Sequence, residues 1–278
     1  MTAIQTQTYN PTFLQKLLGR NYKWWYTVIF YIKSYGSGIS GFLVSQISDI
    51  IQTLAIVYIW VINSSPSGVI TYLVVGRIFK ALSDCFVSEE VSPLILNGTI
   101  SNYLLLPSNF FNIIFFKEIG RRLVFNLARA FSFFVIILLY FQLIDFKFFT
   151  FTNFLLTLPL LVISFMSSFY LEFMIGFGIS FFDKKRNYSG FKRAYNGIAT
   201  TLSGLIIPLD KLPLYKEILQ FLPTSWSLHH PMQIYLGKYT PLETFYVFLG
   251  GITWCITLYF LAKWVFKMGL KKNEAVGL

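Results

Sequence analysis

The sequence has little charge and almost no cysteine. Lys, Arg, Asp and Glu together supply only 13% of the 278 residues, about half the share that is usual in soluble domains. The two cysteines, Cys85 and Cys255, lie in apolar surroundings and have no metal-ligand spacing. They are too few for a disulfide framework. These shortages exclude a disulfide-rich scaffold and disfavour a globule that faces water.

Sequence motifs that carry catalysis are also lacking. There is no Gly-x-Ser-x-Gly elbow, no His-Glu-x-x-His, and no Gly-x-x-x-x-Gly-Lys-Ser/Thr loop for ATP phosphates. His229 and His230 are adjacent, but no cysteine or acidic cluster lies near them, so a polar pair is favoured over a metal site. We therefore predict no catalytic centre, metal or cofactor in this chain. If ATP drives its function, a separate polypeptide must bind it.

What the sequence does contain is long apolar stretches. Apolar residues make up 55% of the chain, and Phe alone accounts for 31 positions. The net charge of +11 is spread in short clusters between the apolar runs. Nucleic acid is therefore not an expected partner, whereas cytoplasmic loops of a membrane protein show this pattern. The composition predicts an all-α integral membrane protein.

The pattern divides the chain into a cytoplasmic tail, 1–22, an interfacial elbow helix, 23–36, and a single six-helix transmembrane domain, 37–278. The elbow assignment follows from aromatic residues beside lysines, which suit the headgroup level. The fifth span is polar, and proline interrupts the segment before the sixth. The predicted spans are 38–62, 67–87, 120–143, 152–182, 190–208 and 243–266, with a cytoplasmic segment at 88–108 and an extracellular hairpin of short re-entrant or surface helices at 209–242.

The basic residues also indicate an orientation. The candidate outer turns hold only Lys147, Lys211, Lys216 and Lys238 of the 23 basic residues. The remainder fall on the opposite side or in the inner halves of spans. The positive-inside rule then places both termini in the cytoplasm of a cell membrane, the inner or plasma membrane.

Polar residues within the predicted spans are candidates for function, because charge in lipid is costly. Two interpretations stay open: a polar pathway through the bundle, or ion pairs that fix helix packing, of which packing is the commoner. The pathway candidates are Ser45, Asp49, Gln52 and Thr53, on one face of the first span. The ion-pair candidates are Arg77, Asp84, Arg129 and Glu172, with Lys80 four residues before Asp84.

The segment 88–108 begins with Glu89 and Glu90, where acidic residues suit a helix amino terminus. An amphipathic helix at the cytoplasmic face could dock a partner or could simply connect two spans. These two interpretations are evenly matched on the residues alone.

The sequence resembles ABC-2 type transporter permeases over about 22–277. The resemblance depends on three stretches, on Trp254 and on the Gly-Leu-Lys-Lys end at 269–272. The stretches are NGTISNYLLLPSN at 97–109, LSGLIIPLDKLP at 202–213 and LPTSWSLHHPMQIYLGK at 222–238. No single stretch is specific to the family, but the order of the three stretches between the spans is specific.

The resemblance implies an exporter subunit that pairs with a second permease, identical or paralogous, and with two cytoplasmic ABC ATPases that carry ATP and Mg²⁺. It also implies that the segment after the second span couples to the ATPase. Carried over here, the coupling residues are Glu89, Glu90, Ser92, Leu94 and Leu96.

The sequence thus predicts the permease of an ATP-driven exporter for an amphipathic substrate: a lipid, a drug or a hydrophobic peptide. The alternative is an ion-coupled secondary transporter that uses Asp49, Asp84 and Glu172.

Overall fold

The computed structural model describes residues 22–36, 39–62, 67–106, 108–145, 149–181, 185–213 and 218–274. Within these ranges all regular structure is helical and no strand occurs, which confirms the predicted all-α class. The predicted tail lies outside the described residues except for Tyr22. The α-helices are α1 (Tyr22–Gly36), α2 (Ile39–Ile62), α3 (Ser67–Ser83), α4 (Val87–Leu96), α5 (Ile100–Leu104), α6 (Phe110–Tyr140), α7 (Phe151–Gly178), α8 (Lys185–Leu202), α9 (His229–Tyr235) and α10 (Pro241–Glu274).

Two helical stretches among the described residues are long and apolar enough to cross a membrane. They are Phe151–Phe181, which is α7 with the 3₁₀ turn after it, and Pro241–Lys272 of α10. With 31 and 32 residues at about 1.5 Å each, both exceed a hydrocarbon layer of roughly 30 Å. Helix α6 provides a third candidate span if its two halves, which meet at a 45° bend, are counted together. These halves are Phe110–Leu127 and Ser132–Tyr140. The total of six spans stays a prediction.

Helix α6 begins at Phe110, well before the predicted start of the third span at 120. The side chain of Asn109 caps it by accepting a hydrogen bond from the Phe111 N–H at 3.0 Å. The helix then continues through charged residues at 117, 118, 121 and 122, because they form ion pairs with one another and with α4. These ion pairs thus allow the helix to extend beyond the segment that hydropathy alone predicts.

Helix α8 begins before the predicted fifth span and ends at Leu202. Gly204 follows it with φ at 87°, a conformation that favours glycine after a helix end. A Cβ atom at Gly204 would lie 2.5 Å from the Tyr72 hydroxyl oxygen. The chain therefore turns sharply against α3 at this position.

The later part of the proline-rich segment before α10 packs inside the molecule. It contains 3₁₀ turns at Leu209–Lys211, Leu219–Phe221 and Pro223–Ser227 before α9. Every residue from 225 to 234 is buried. The Trp226 ring lies against Gly250 and Gly251 of α10, and its indole N–H donates to the Val247 carbonyl at 2.9 Å. Burial within protein is the condition under which such irregular backbone is tolerated in a membrane.

Aromatic rings form the core where α4, α6, α7 and α10 meet. Phe111 of α6 stacks on Phe173 of α7 with ring centroids 4.1 Å apart. Phe266 of α10 packs edge-on against Phe177 at 5.0 Å. Buried Val87 and Val91 join the same cluster, so α4 is part of the core.

Candidate translocation cavity

A cavity of about 180 Å³ lies between the carboxyl end of α3, the middle of α7, one face of α8 and the turn Pro223–Ser227. Its wall is rich in polar groups, although α7 is otherwise apolar. The charged and polar lining residues are Lys80, Asp84, Ser167, Ser168, Glu172, Lys192, Tyr195, Asn196, Thr200, Thr224 and Ser227.

An ion pair forms one wall of this cavity. The Lys80 ammonium lies 2.7 Å from the Asp84 carboxylate, and it also donates to the Ser227 hydroxyl at 3.4 Å. Both residues also line a second cavity of about 80 Å³ on the side of α2 and α6. The Lys80–Asp84 pair therefore separates two neighbouring polar spaces.

Glu172 of α7 connects the cavity to α4. It lines the first cavity, and its carboxylate accepts hydrogen bonds from the N–H of Ser88, at 3.3 Å, and from the Ser88 hydroxyl. One turn further along α4, Ser92 hydrogen-bonds to the Tyr188 hydroxyl of α8 and donates to the Gly176 carbonyl. Cys85 and Phe86, just before α4, also line the cavity. Direct contacts therefore connect α4 to the wall of the cavity.

A buried ionic cluster attaches the start of α4 to α6. Glu118, only 1% exposed, lies 2.6 Å from Arg121 and 3.3 Å from Arg122, and it accepts a hydrogen bond from the Phe86 N–H at 3.0 Å. Arg122 in turn donates to the Ala81 carbonyl at 3.1 Å. The connection between α3 and α4 is thus fixed to α6 from both sides.

Glu90 provides a second attachment. It forms an ion pair with Lys117 of α6 and accepts a hydrogen bond from the Tyr35 hydroxyl of α1. Burial raises the pKa of Glu90, but the Lys117 charge and the hydrogen bonds from Lys117 and Tyr35 outweigh it, so the pKa is lowered. The carboxylate is therefore the form that joins α1, α4 and α6.

The predicted coupling residues fall into two groups on α4. Glu89 and Leu96 point outward, with Leu96 42% exposed and Glu89 reaching Arg121 at 3.5 Å and Lys192 at 3.6 Å. Glu90 and Ser92 face neighbouring helices, and Leu94 is half-buried against the aromatic core. Pro93 is also exposed on this outward face. The sequence did not identify Pro93 as a coupling residue.

The predicted pathway residues of α2 are only partly described. The side chains of Ser45 and Asp49 lie outside the described part of the chain. Thr53 is buried and lines the second cavity, whereas Gln52 is exposed and donates to the Ser48 hydroxyl at 3.2 Å. Of this set, the structure therefore brings Thr53 to a cavity.

The predicted ion-pair residues gather around the two cavities. Arg77 and Arg129 line the second cavity together with Asp84. Asp84 pairs with Lys80 of its own helix, while Glu172 is held by Ser88 and lines the first cavity. These four residues thus belong to one polar region.

Sequence reasoning missed Ser167 and Ser168 of α7, and Thr224 and Ser227 of the proline-rich segment, as cavity residues. A usable signal was present in α7, where Ser164, Ser167 and Ser168 recur at helical spacing within an apolar span. No comparable signal exists for the proline-rich segment, since its burial depends on the whole bundle.

The two adjacent histidines take part in local hydrogen bonds. His230 Nδ1 lies 2.9 Å from the Tyr239 hydroxyl, and its Nε2 lies 2.9 Å from the Gln220 carbonyl oxygen. His229 Nδ1 lies 3.4 Å from the Tyr72 hydroxyl. Both rings are buried and link α9 to its surroundings.

A search of the curated proteins gives no match to this chain. A family model described as "ABC-2 family transporter protein" matches residues 64–277. This range covers most of the chain and includes the first cavity, α4 and the ionic cluster on α6. It also contains all three motif stretches on which the resemblance depended, so the resemblance is confirmed. The chain belongs to the ABC-2 family of transporter proteins, the membrane permeases of ABC transporters.

Proposed function

We propose that this chain is the transmembrane permease subunit of an ATP-driven ABC exporter that moves an amphipathic substrate by alternating access. A separate ATPase subunit would supply the energy, with ATP and Mg²⁺ bound there. The complex would contain two permeases, identical or paralogous, and two ATPases, in a cell membrane with both permease termini in the cytoplasm. Family membership supports the permease role.

The observation that carries the proposal is the polar cavity beside the apolar spans. It combines cationic Lys80 and Lys192 with anionic Asp84 and Glu172. Around it, the surfaces of α7 and α10 are apolar and aromatic. A lipid, a drug or a hydrophobic peptide has both kinds of surface, so such a cargo suits the cavity and its surroundings.

The proposed coupling passes from the outward face of α4 to the cavity. A partner ATPase would contact Glu89, Pro93 and Leu96, and would displace α4 during its cycle. The hydrogen bonds from Ser88 to Glu172, and between Ser92 and Tyr188, would carry that displacement to α7 and α8. Because packed helices move as units, a small shift of α4 would reshape the cavity.

The proposed topology has six spans with α1 as an interfacial elbow. In it, α2, α3, α6, α7, α8 and α10 each cross the membrane, and the proline-rich segment lies on the outer side. The polar helix α8 would cross with its Lys192, Asn196 and Thr200 directed to the cavity that they line.

The test purifies the chain from its host in mild detergent and identifies what accompanies it. An ABC ATPase is expected, and Leu96→Asp combined with Leu105→Asp should release it, since Leu96 at the end of α4 is 42% exposed and Leu105, just after α5, is 84% exposed. Glu243→Gln, an exposed change at the amino end of α10 that keeps an acceptor for the Thr240 N–H, is the control. Absence of an ATPase, with transport unchanged in ATP-depleted vesicles, would refute the proposal.

The alternative, ion-coupled transport, is favoured by one observation: Asp84 and Glu172 line the same cavity. It requires that transport follow an ion gradient and persist without ATP. The same ATP-depleted vesicles therefore separate the two functions.

A further inference from the structure

An apolar groove of about 560 Å³ runs along the outside of the molecule between α7 and α10. Val162 and Met166 of α7 form one wall, and Ile252 and Ile256 of α10 form the other. Val162 is 63% exposed and Ile256 is 53% exposed. The groove is therefore a surface feature, large enough for one acyl chain.

Both walls belong to the two stretches that are long and apolar enough to cross a membrane, Phe151–Phe181 and Pro241–Lys272. The groove thus opens toward hydrocarbon. It is also separate from the polar cavity, because Ser167 and Ser168 of α7 line the cavity whereas Met166 and Tyr170 line the groove. The groove is therefore a site distinct from the cavity proposed for the cargo.

One end of the groove carries a positive charge. The rings of Tyr170 and Tyr259 meet edge-on with centroids 5.7 Å apart, and the Lys263 ammonium lies 4.3 Å from the centre of the Tyr259 ring. Ile252, Ile256, Tyr259 and Lys263 recur at helical spacing and so share one face of α10. Lys263 therefore stands at the end of the groove.

The position of Lys263 along α10 matches a headgroup level. From Pro241 to Lys263 the helix rises by about 33 Å, close to the thickness of the hydrocarbon layer. Trp264 follows, 59% exposed, and tryptophan and lysine are both typical of the interface. From there to Lys272 the charged residues of α10 are all lysines: Lys263, Lys267, Lys271 and Lys272.

We infer that this groove binds one acyl chain of an anionic phospholipid whose headgroup contacts Lys263, in the leaflet at the carboxyl end of α10. The apolar walls hold the chain by burying its methylene groups. The Lys263 ammonium attracts a headgroup of net negative charge more strongly than a zwitterionic one. A zwitterionic lipid fits the walls equally well and lacks the charge match.

The experiment measures retained lipid by native mass spectrometry on the delipidated full-length protein. Dioleoylphosphatidylglycerol is compared with dioleoylphosphatidylcholine. The phosphatidylglycerol adduct should survive at higher collision energy, and Lys263→Gln should weaken its binding about fivefold without affecting phosphatidylcholine. Ile256→Trp, which fills the groove, should weaken both lipids.

Two matched variants serve as controls. Lys271→Gln removes a charge two turns beyond the groove, and Leu261→Trp adds bulk on another exposed face of α10. Equal retention of both lipids by the wild type, or equal losses in control and test variants, would overturn the inference. It would also be overturned if Ile256→Trp reduced the number of permease copies in the complex, because a protein partner would then occupy the groove.

Discussion

At the residue scale, the buried charges hold α4 in place. Glu118 and Arg121 are 1% and 4% exposed and lie 2.6 Å apart. Isolated charges at such depth would be strongly unfavourable, so each depends on the other for compensation. The sequence identified charged residues within the spans, and the i,i+4 spacing joined Lys80 to Asp84. It did not pair Ser88 with Glu172, because no local pattern joins positions on separate helices.

We predict that Glu118→Gln lowers the free energy of unfolding by about 3 kcal/mol, because it removes the closest carboxylate from the buried guanidinium groups of Arg121 and Arg122. Glu89→Gln is the matched control, since Glu89 is 53% exposed and its nearest cation is 3.5 Å away. Glu89→Gln should lower the free energy of unfolding by less than about 1 kcal/mol. Thermal unfolding in detergent measures both, and equal losses would contradict the assignment of the cluster.

Glu90 gives the contact between α1, α4 and α6 a pH dependence. Because folding lowers its pKa from the ordinary value of 4.5, the stabilisation is present above that value and is lost as pH falls through the lowered one. The difference in stability between wild type and Glu90→Gln should therefore be constant near neutral pH and should disappear in acid. Unfolding temperatures measured at a series of pH values test this, and a difference that does not change with pH would refute it.

At the scale of helices, α4 is fixed by close packing on α7. A Cβ atom at Gly176 would lie 2.9 Å from the Val91 Cβ and 3.1 Å from the Ser88 Cα, which belongs to the backbone and cannot rotate away. The sequence predicted an amphipathic helix in this segment. It placed this helix at the surface, whereas five of its residues are buried: Val87, Ser88, Val91, Ser92 and Ile95. An aromatic core assembled from four distant helices accounts for that burial.

We predict that Gly176→Val forces α4 away from α7 and destabilises the protein by about 1–3 kcal/mol, the usual cost of overpacking. In the complex with its ATPase, the same change should reduce ATP hydrolysis. Gly178→Val is the control, because a Cβ there meets only Phe191, at 3.9 Å. If the two variants behave alike in unfolding and in ATP hydrolysis, the packing of α4 on α7 is not what connects the coupling segment to the membrane domain.

At the scale of the whole molecule, polar groups from segments far apart in sequence converge on two cavities that share Lys80 and Asp84. Composition and motif order were sufficient to predict an all-helical permease. They were not sufficient to find the cavity, since Thr224 and Ser227 reach it through the buried proline-rich segment and Ser167 through the packing of α7. We propose that the cavity beside the Lys80–Asp84 pair is the route of transport.

Cysteine accessibility tests this claim without knowledge of the cargo. Ser168→Cys and Thr200→Cys face the cavity, and Leu158→Cys, 42% exposed on α7, is the control that faces away. Each is placed in a chain carrying Cys85→Ala and Cys255→Ala, assembled with its ATPase in membranes. A charged, membrane-impermeant thiol reagent is then applied with and without ATP and vanadate. Both cavity cysteines should react, and nucleotide should change their rates, while Leu158→Cys stays unreactive. Cavity cysteines as unreactive as the control in both states would contradict it.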